Sequence, residues 1–411
     1  MTMQQFGKSQ GRPQATGRFE DRRFLTGRGQ YVDDIAPDGA LFAFFLRSTV
    51  AHAAITGLDV SAATKVPGVR LVLTAQGLGV TGITTGMAGT TVRNQDGSKG
   101  ANPLRPLLAE GVLRYVGEAV AMIVAESLDA ARDAAELIAL ETDDRPVKLS
   151  IAPGGPVVHD LAPDNCAYDW AMGEASGVAA AMAASAHRVT LDVVHNRVIC
   201  NSMEPRGAFA EWDGPRLHLC VNGQGVWVQK DELVRMMRLD RENVRGTNPA
   251  QAIQSTLFSK VVTGGYDVTD VHLRARGIYT HTTPIDAYRG AGRPEAILTL
   301  ERAMDNAARR LGVDPFDLRR RNLITSFPYR MQNGETIEDG DFVRVLNRVR
   351  AEADVDGFAA RARASGLKGL VRGMGLAFYI ESILGSPEET ARIEFEPDGE
   401  IAIYVGTQSN G

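Results

Sequence analysis

Apolar positions along the 411 residues recur with two different periods, and the changes of period divide the chain into expected elements. Apolar runs over Leu41 to Val50 and Val69 to Thr74, and a third pattern from Val112 to Val124 around Gly117, predict strands. A glycine turn near Gly27 and Gly29 leads into a further strand-like stretch, Gln30-Tyr31-Val32-Asp33-Asp34. Ser127 is placed to cap a helix over Leu128 to Leu140, with Ala130, Ala134, Leu137 and Ile138 on one stripe. Residues 20–145 are therefore expected to form an α+β domain after a polar arm, 1–19. Residues 82–103, rich in Gly, Thr, Asn and Asp, read as an exposed or mobile loop within it.

A linker over 146–160, containing Ile151-Ala-Pro-Gly-Gly-Pro-Val-Val158, separates this unit from the rest. Two stretches then turn at Asp-Gly pairs, a strong hairpin signal. Ala208 to Val221 turns at Asp213-Gly214 and delivers Asn222-Gly223-Gln224; Ala391 to Val405 turns at Asp398-Gly399 and delivers Gly406-Thr407-Gln408. They read as a weak internal repeat or as two unrelated hairpins. Between them, helical spacing predicts helices over Gln229–Leu239, over Glu295–Leu311 with Ile297, Leu300, Met304, Ala307 and Leu311 inward, and from Pro315 to Ile324. The arginine run 319–321 reads as a solvated or partner-facing surface.

Composition narrows the function. With 44% hydrophobic and 23% charged residues the chain has the balance of a globular protein, and a net charge of −5 leaves no basic field for nucleic acid. No apolar run long enough to cross a bilayer and no leader-like segment stand out, which predicts a cytoplasmic protein. Cys166, Cys200 and Cys220 form no close pair, and the seven histidines form no HxH or HxxxH pair. Protein-ligated metal and iron–sulfur clusters are therefore not expected in this chain. Gly77-Leu-Gly-Val-Thr-Gly82 spells G-x-G-x-x-G after a strand, but the β-branched, glycine-broken stretch behind it argues against the helix that a dinucleotide site needs.

The most informative stretch is Asp286-Ala-Tyr-Arg-Gly-Ala-Gly-Arg-Pro-Glu295. Glycines allow tight or positive-φ backbone close to a bulky ligand, and Arg289 offers a rigid fork of donors to an oxo, phosphate or carboxylate group. By itself the turn could equally be a structural corner.

That loop, followed by Leu300-Glu-Arg-Ala-Met-Asp305, resembles the active-site loop of the large, molybdopterin-binding subunit in the xanthine dehydrogenase/aldehyde oxidase/carbon monoxide dehydrogenase family. Gly27 to Ile35 and Tyr115 to Ala125 resemble the family's hammerhead domain. Met203-Glu-Pro-Arg-Gly-Ala208, Gly223-Gln-Gly225, Leu318 to Leu323 and Gly375-Leu-Ala-Phe-Tyr-Ile-Glu381 then follow in the family's order. The resemblance implies a hammerhead-type α/β domain at 20–145, a first molybdopterin-binding domain at 161–345, and the start of a second at 346–411. It implies that Gln224 hydrogen-bonds a molybdenum oxo group, that Arg289 faces metal and substrate as the catalytic donor, that Gly290 lies in the cofactor loop, and that Gln408 ends the second cofactor-binding hairpin. The cofactor would be molybdopterin, in its plain or cytosine dinucleotide form, bound without a protein ligand to the metal. FAD and [2Fe–2S] clusters would sit on partner subunits, a flavin subunit and an iron–sulfur subunit, in a dimer of heterotrimers.

Two departures accompany the resemblance. Between Pro249 and Ala250 a segment with an aspartate and a glycine-rich loop is missing, and the family's general-base glutamate would lie beyond Gly411, so no residue here takes that role. The carbon monoxide branch has a cysteine where Gly290 stands, which points to aldehydes or N-heteroaromatic carbons as substrates. The expected function is the molybdenum subunit of such a hydroxylase; the alternative is a cofactor-free, non-catalytic remnant that folds or binds partners only.

Overall fold

The computed structural model describes residues 21–87, 89–199, 201–202, 204, 206–222, 227–245, 254–285, 290–382, 391–395, 399 and 401–405. The first unit rests on two three-stranded antiparallel sheets. In one, Ala119–Ala125 lies between Phe42–Arg47 and Val69–Thr74; in the other, Ala53–Asp59 lies between Val112–Leu113 and Ala139–Asp144. The helix Leu128–Glu136 covers the first sheet. Ala121, Ile123 and Ala125 pack against Ala131, Ala134, Ala135 and Ile138, and the small side chains let helix and sheet approach closely. Ser127 caps this helix, its Oγ accepting from Ala130 N at 3.1 Å.

Four expectations change here. The strand expected after the Gly27 and Gly29 turn is instead a single 3-10 turn, Val32–Asp34, where the Asp34 carboxylate accepts from Tyr31 N at 2.8 Å. The 112–124 pattern breaks at Gly117 (φ 94°) into Val112–Leu113 and Ala119–Ala125, because the turn between them serves two different sheets. The helix ends at Glu136 rather than Leu140, since Ala139–Asp144 is recruited as an edge strand. Residues 82–103 are not a free loop. Gln95 N donates to Asp169 O and Ala101 N to Ala167 O, so the segment runs along the strand Cys166–Gly173 and supplies partners to its backbone. Gly77 and Gly79 lie inside a short helix, Ala75–Val80, capped by Thr74.

In the second unit Cys166–Gly173 pairs antiparallel with His272–Ile278, and Ala208–Asp213 forms its hairpin with Arg216–Val221. The expected helices appear as Trp227–Met237, Arg293–Leu311 and Pro315–Asn322, the last capped by Asp314. Helices Phe342–Glu352 and Phe358–Gly366 follow, and the second hairpin pairs Ala391–Phe395 with Ile401–Val405. Tyr266, Phe316, Leu323, Leu346 and Phe378 form the core of this unit.

Arg319 overturns the reading of 319–321 as a surface, because it is fully buried. Its Nε donates to Glu301 Oε2 at 2.9 Å and its Nη2 to Asp305 Oδ1 at 2.9 Å and Leu376 O at 3.3 Å. Glu301 also accepts from Tyr266 Oη at 2.6 Å and Phe378 N at 2.9 Å. A buried ion pair is tolerable when its remaining lone pairs are filled, as here, and this one ties four stretches of chain together, around Tyr266, Glu301, Arg319 and Leu376. Helical spacing alone cannot distinguish an inward guanidinium from its two outward neighbours.

Candidate functional site

Of the candidate residues, Gln224, Arg289 and Gln408 lie outside the described residues, as do Asp286, Ala287 and Tyr288. Gly290 is described. Three successive residues, Gly290 (φ 101°), Ala291 (φ 46°) and Gly292 (φ 99°), take left-handed backbone before the helix Arg293–Leu311, and only glycine does so without strain. A Cβ on Gly290 would lie 2.6 Å from Pro294 Cγ and Cδ, so that position is closed to any side chain. Ala291 carries the strain of a non-glycine residue in that region, on the order of 1 kcal/mol. Beside the turn lies a cleft of about 630 Å³ whose walls include Gly290, Arg293, Pro294, Ile297, Tyr379 and Glu381.

The chain leading into the loop is held by the first unit, the linker and Arg197. Thr283 Oγ1 donates to Val116 O at 3.2 Å, and Arg197 donates through Nη2 to Thr282 Oγ1 at 2.6 Å. His281 N donates to Lys148 O at 2.8 Å, and Lys148 N donates to His281 Nδ1 at 2.8 Å. His281 stacks on His52 with ring centroids 3.8 Å apart. Its Nε2 is buried without a partner, and burial, then the neighbouring His52, His159 and Arg114, lower its pKa to about 4. Burial and Arg114 bring His159 down to about 4 as well.

The motif stretches at 27–35 and 203–208 meet. Val32 N donates to Glu204 Oε1 at 3.1 Å, and a Cβ on Gly207 would lie 2.6 Å from Asp33 Oδ1. Gly207 N in turn donates to Asn222 Oδ1 at 3.2 Å, which holds the start and end of the first hairpin together two residues before Gln224. Glu118, in the Tyr-Val-Gly-Glu turn, accepts from Arg114 N at 2.6 Å, and burial pushes its carboxyl pKa up.

The loop beside Arg289 is bare backbone at 290, and a buried oxygen of Glu295, Oε2, has no partner among the described residues. Among the described residues no group of three or more His, Cys, Asp and Glu could hold a metal ion. Sequence reasoning missed the joint made by Arg293 and the His52–His281 stack. Arg293 was visible as the second arginine of the loop motif, whereas two histidines 229 positions apart carry no shared signal.

Residues 26–146 match the family described as aldehyde oxidase and xanthine dehydrogenase, a/b hammerhead domain, and residues 158–251 and 246–323 match the molybdopterin cofactor-binding domain. The chain belongs to the aldehyde oxidase and xanthine dehydrogenase family and carries its hammerhead domain and a molybdopterin cofactor-binding domain. Among its relatives, the nicotine 6-hydroxylase large subunit of Paenarthrobacter nicotinovorans is 30% identical over 497 residues, covering 96% of this chain and 60% of that protein. The carbon monoxide dehydrogenase large chain of Hydrogenophaga pseudoflava is 23% identical over 517 residues, with 97% and 63% covered. The crystal structure of quinoline 2-oxidoreductase from Pseudomonas putida 86 shares the fold, with a TM-score of 0.84 at 24% identity over 96% of this chain and 62% of that one.

The chain thus spans about 60% of the length of these relatives. The span aligned with the nicotine hydroxylase, 497 residues, also exceeds the 411 of this chain, so that relative carries residues inside the matched region that have no counterpart here. No described helix is long and apolar enough to cross a membrane.

Proposed function

We propose that this chain forms the molybdenum-cofactor part of a cytoplasmic hydroxylase that oxidises an aldehyde or N-heteroaromatic carbon with water as the source of oxygen. The observation that carries the proposal is the left-handed Gly290-Ala291-Gly292 turn, set directly after Arg289 and beside an open cleft in a chain of this family. When bound, molybdopterin in its plain or cytosine dinucleotide form supplies the two-electron oxidation at carbon. The chain's residues supply the rest. Arg289 and Gln224 are fixed donors for the negative charge that develops at the reacting centre, and a water-poor pocket strengthens both. Gly290 and Gln408 complete the cofactor's surroundings, and the absence of a side chain at 290 keeps a thiolate, and with it a second metal, away from the substrate.

An N-heteroaromatic substrate is supported by the relative that hydroxylates nicotine at 30% identity. The same proposal places [2Fe–2S] clusters and FAD on companion subunits in a dimer of heterotrimers, supported by relatives named as large chains or as one subunit of a complex. The test is dye reduction by the assembled enzyme with an aldehyde or heteroaromatic donor in ¹⁸O-labelled water. Label in the product and inertness to carbon monoxide are expected; turnover of carbon monoxide, or unlabelled product, would sink the assignment.

A second reading has an observation of its own. Matched relatives contain internal residues this chain lacks, and the second hairpin exposes Ile393, Phe395, Ile401 and Ile403. The 411-residue chain alone is therefore proposed to fold without retaining molybdopterin, since glycine-rich backbone is the readiest source of donors for its phosphate. Near-stoichiometric molybdenum in the chain purified from a cofactor-making host would overturn that reading.

A further inference from the structure

We propose that Arg293 is a positioning residue that joins the C-terminal end of the Arg289 loop to the 375–382 segment, so that both pieces keep one spacing. The functional weight of that joint rests on the role proposed above for Arg289; the contacts themselves do not. Arg293 opens the helix Arg293–Leu311, and its side chain is only 13% exposed. Its Nη1 donates to Gly290 O at 3.3 Å, the same carbonyl that accepts from its own backbone N at 3.2 Å. On the far side its Nε donates to Ser382 Oγ at 3.2 Å and lies 2.6 Å from Glu381 Oε1, while Nη2 donates to Ser382 O. One planar guanidinium thus grips the end of the loop with one arm and residues 381–382 with the rest.

The choice of residue is costly unless that grip matters. A cation at the N-terminus of a 19-residue helix stands against the helix dipole, where an acid or a capping hydroxyl is the usual occupant. Glu381 compensates the charge from another part of the chain. Lysine could pair with Glu381 but cannot reach Gly290 O and Ser382 O at once, because it lacks the fork. The other end of the loop is already held by Thr283 on Val116 and by Arg197 on Thr282. Arg293 therefore sets the second boundary of the stretch that carries Arg289. Residues 375–382 precede in sequence the hairpin expected to deliver Gln408.

The experiment is hydrogen exchange on the full 411-residue chain, comparing wild type with Arg293→Ala, Arg293→Lys and Glu381→Gln. Both Arg293 variants are expected to exchange roughly tenfold faster in 290–293 and in 377–382 together, the loss of charge-assisted hydrogen bonds being enough for that change. Glu381→Gln gives a smaller rise in the same two windows, and residues 300–308 and 119–125 stay unchanged. A rise confined to the first turn of the helix, with 377–382 unmoved, would assign Arg293 a local helix-start role and overturn the proposal. So would full protection in Arg293→Lys. Exchange is read without cofactor, so a failure of the wild type to bind molybdenum or turn over substrate counts against the proposed function alone.

Discussion

The buried histidine stack makes a quantitative prediction about acid stability. His281 is almost fully buried, its Nδ1 already accepts from Lys148 N, and its pKa is lowered from 6.5 to about 4. In the unfolded chain the imidazole takes up a proton as pH falls below 6.5, whereas in the folded chain it stays neutral until about 4. The unfolded state therefore binds more protons in that window, so this contribution is complete above pH 6.5, declines as pH falls, and is exhausted below 4. At about 1.4 kcal/mol per pKa unit the full effect is ~3 kcal/mol, of which ~2 kcal/mol is lost by about pH 5. His159 shifts the same way but is partly exposed, and its share is correspondingly smaller. Urea unfolding followed by the fluorescence of Trp170, Trp212 and Trp227 at about pH 7.5 and 5 measures the loss. His281→Gln keeps an acceptor for Lys148 N and removes the titration, so its stability should fall by ~2 kcal/mol less than wild type over the same interval. An equal fall in both proteins would refute the reasoning.

Three further outcomes follow from the same contacts. Glu301→Ala strands Arg319 without its buried carboxylate and should cost ~3–5 kcal/mol, whereas Glu301→Ala with Arg319→Leu recovers part of it; equal unfolding midpoints for the single variant and wild type would exclude the buried pair as a stabilising joint. Gly290→Ala must place a Cβ against Pro294 at a positive φ and should cost ~1–3 kcal/mol, relieved in part by adding Pro294→Ala, and thermal unfolding of the two variants decides it. Arg289 and Gln224 are expected within about 10 Å of each other, the width of a cofactor pocket, so cysteines at the two positions should be bridged by a short bifunctional reagent in a cysteine-free background; bridging only by long reagents would separate them.

Much of the fold was legible because local chemistry and tertiary demand agree. Ser127 before an alanine-rich run gives a capped helix, and Asp213-Gly214 gives a hairpin. Pro315 behind Asp314 starts a helix where the proline lacks only a hydrogen that would have gone unpaired. Where the reading missed, a distant partner had overridden local pattern. Ala139–Asp144 is drawn off the end of a helix by Ala53–Asp59, and 82–103 is ordered by the backbone of Cys166–Gly173, which no window of neighbouring residues could reveal.

The site divides along the same line. Glycines at 290 and 292 could be read from the sequence because positive φ restricts which residues fit, so residue type reports geometry directly. Arg293 and Arg319 could not, because a guanidinium looks the same in sequence whether it faces water, a buried glutamate or the carbonyls of a distant segment. Arg319 and Glu301 are 18 positions apart, and Arg293 and Ser382 are 89 apart. At such separations an arginine's role is set by what the fold brings to it, and in this chain both long-range joints hold the 375–382 segment to the helix that begins at the Arg289 loop.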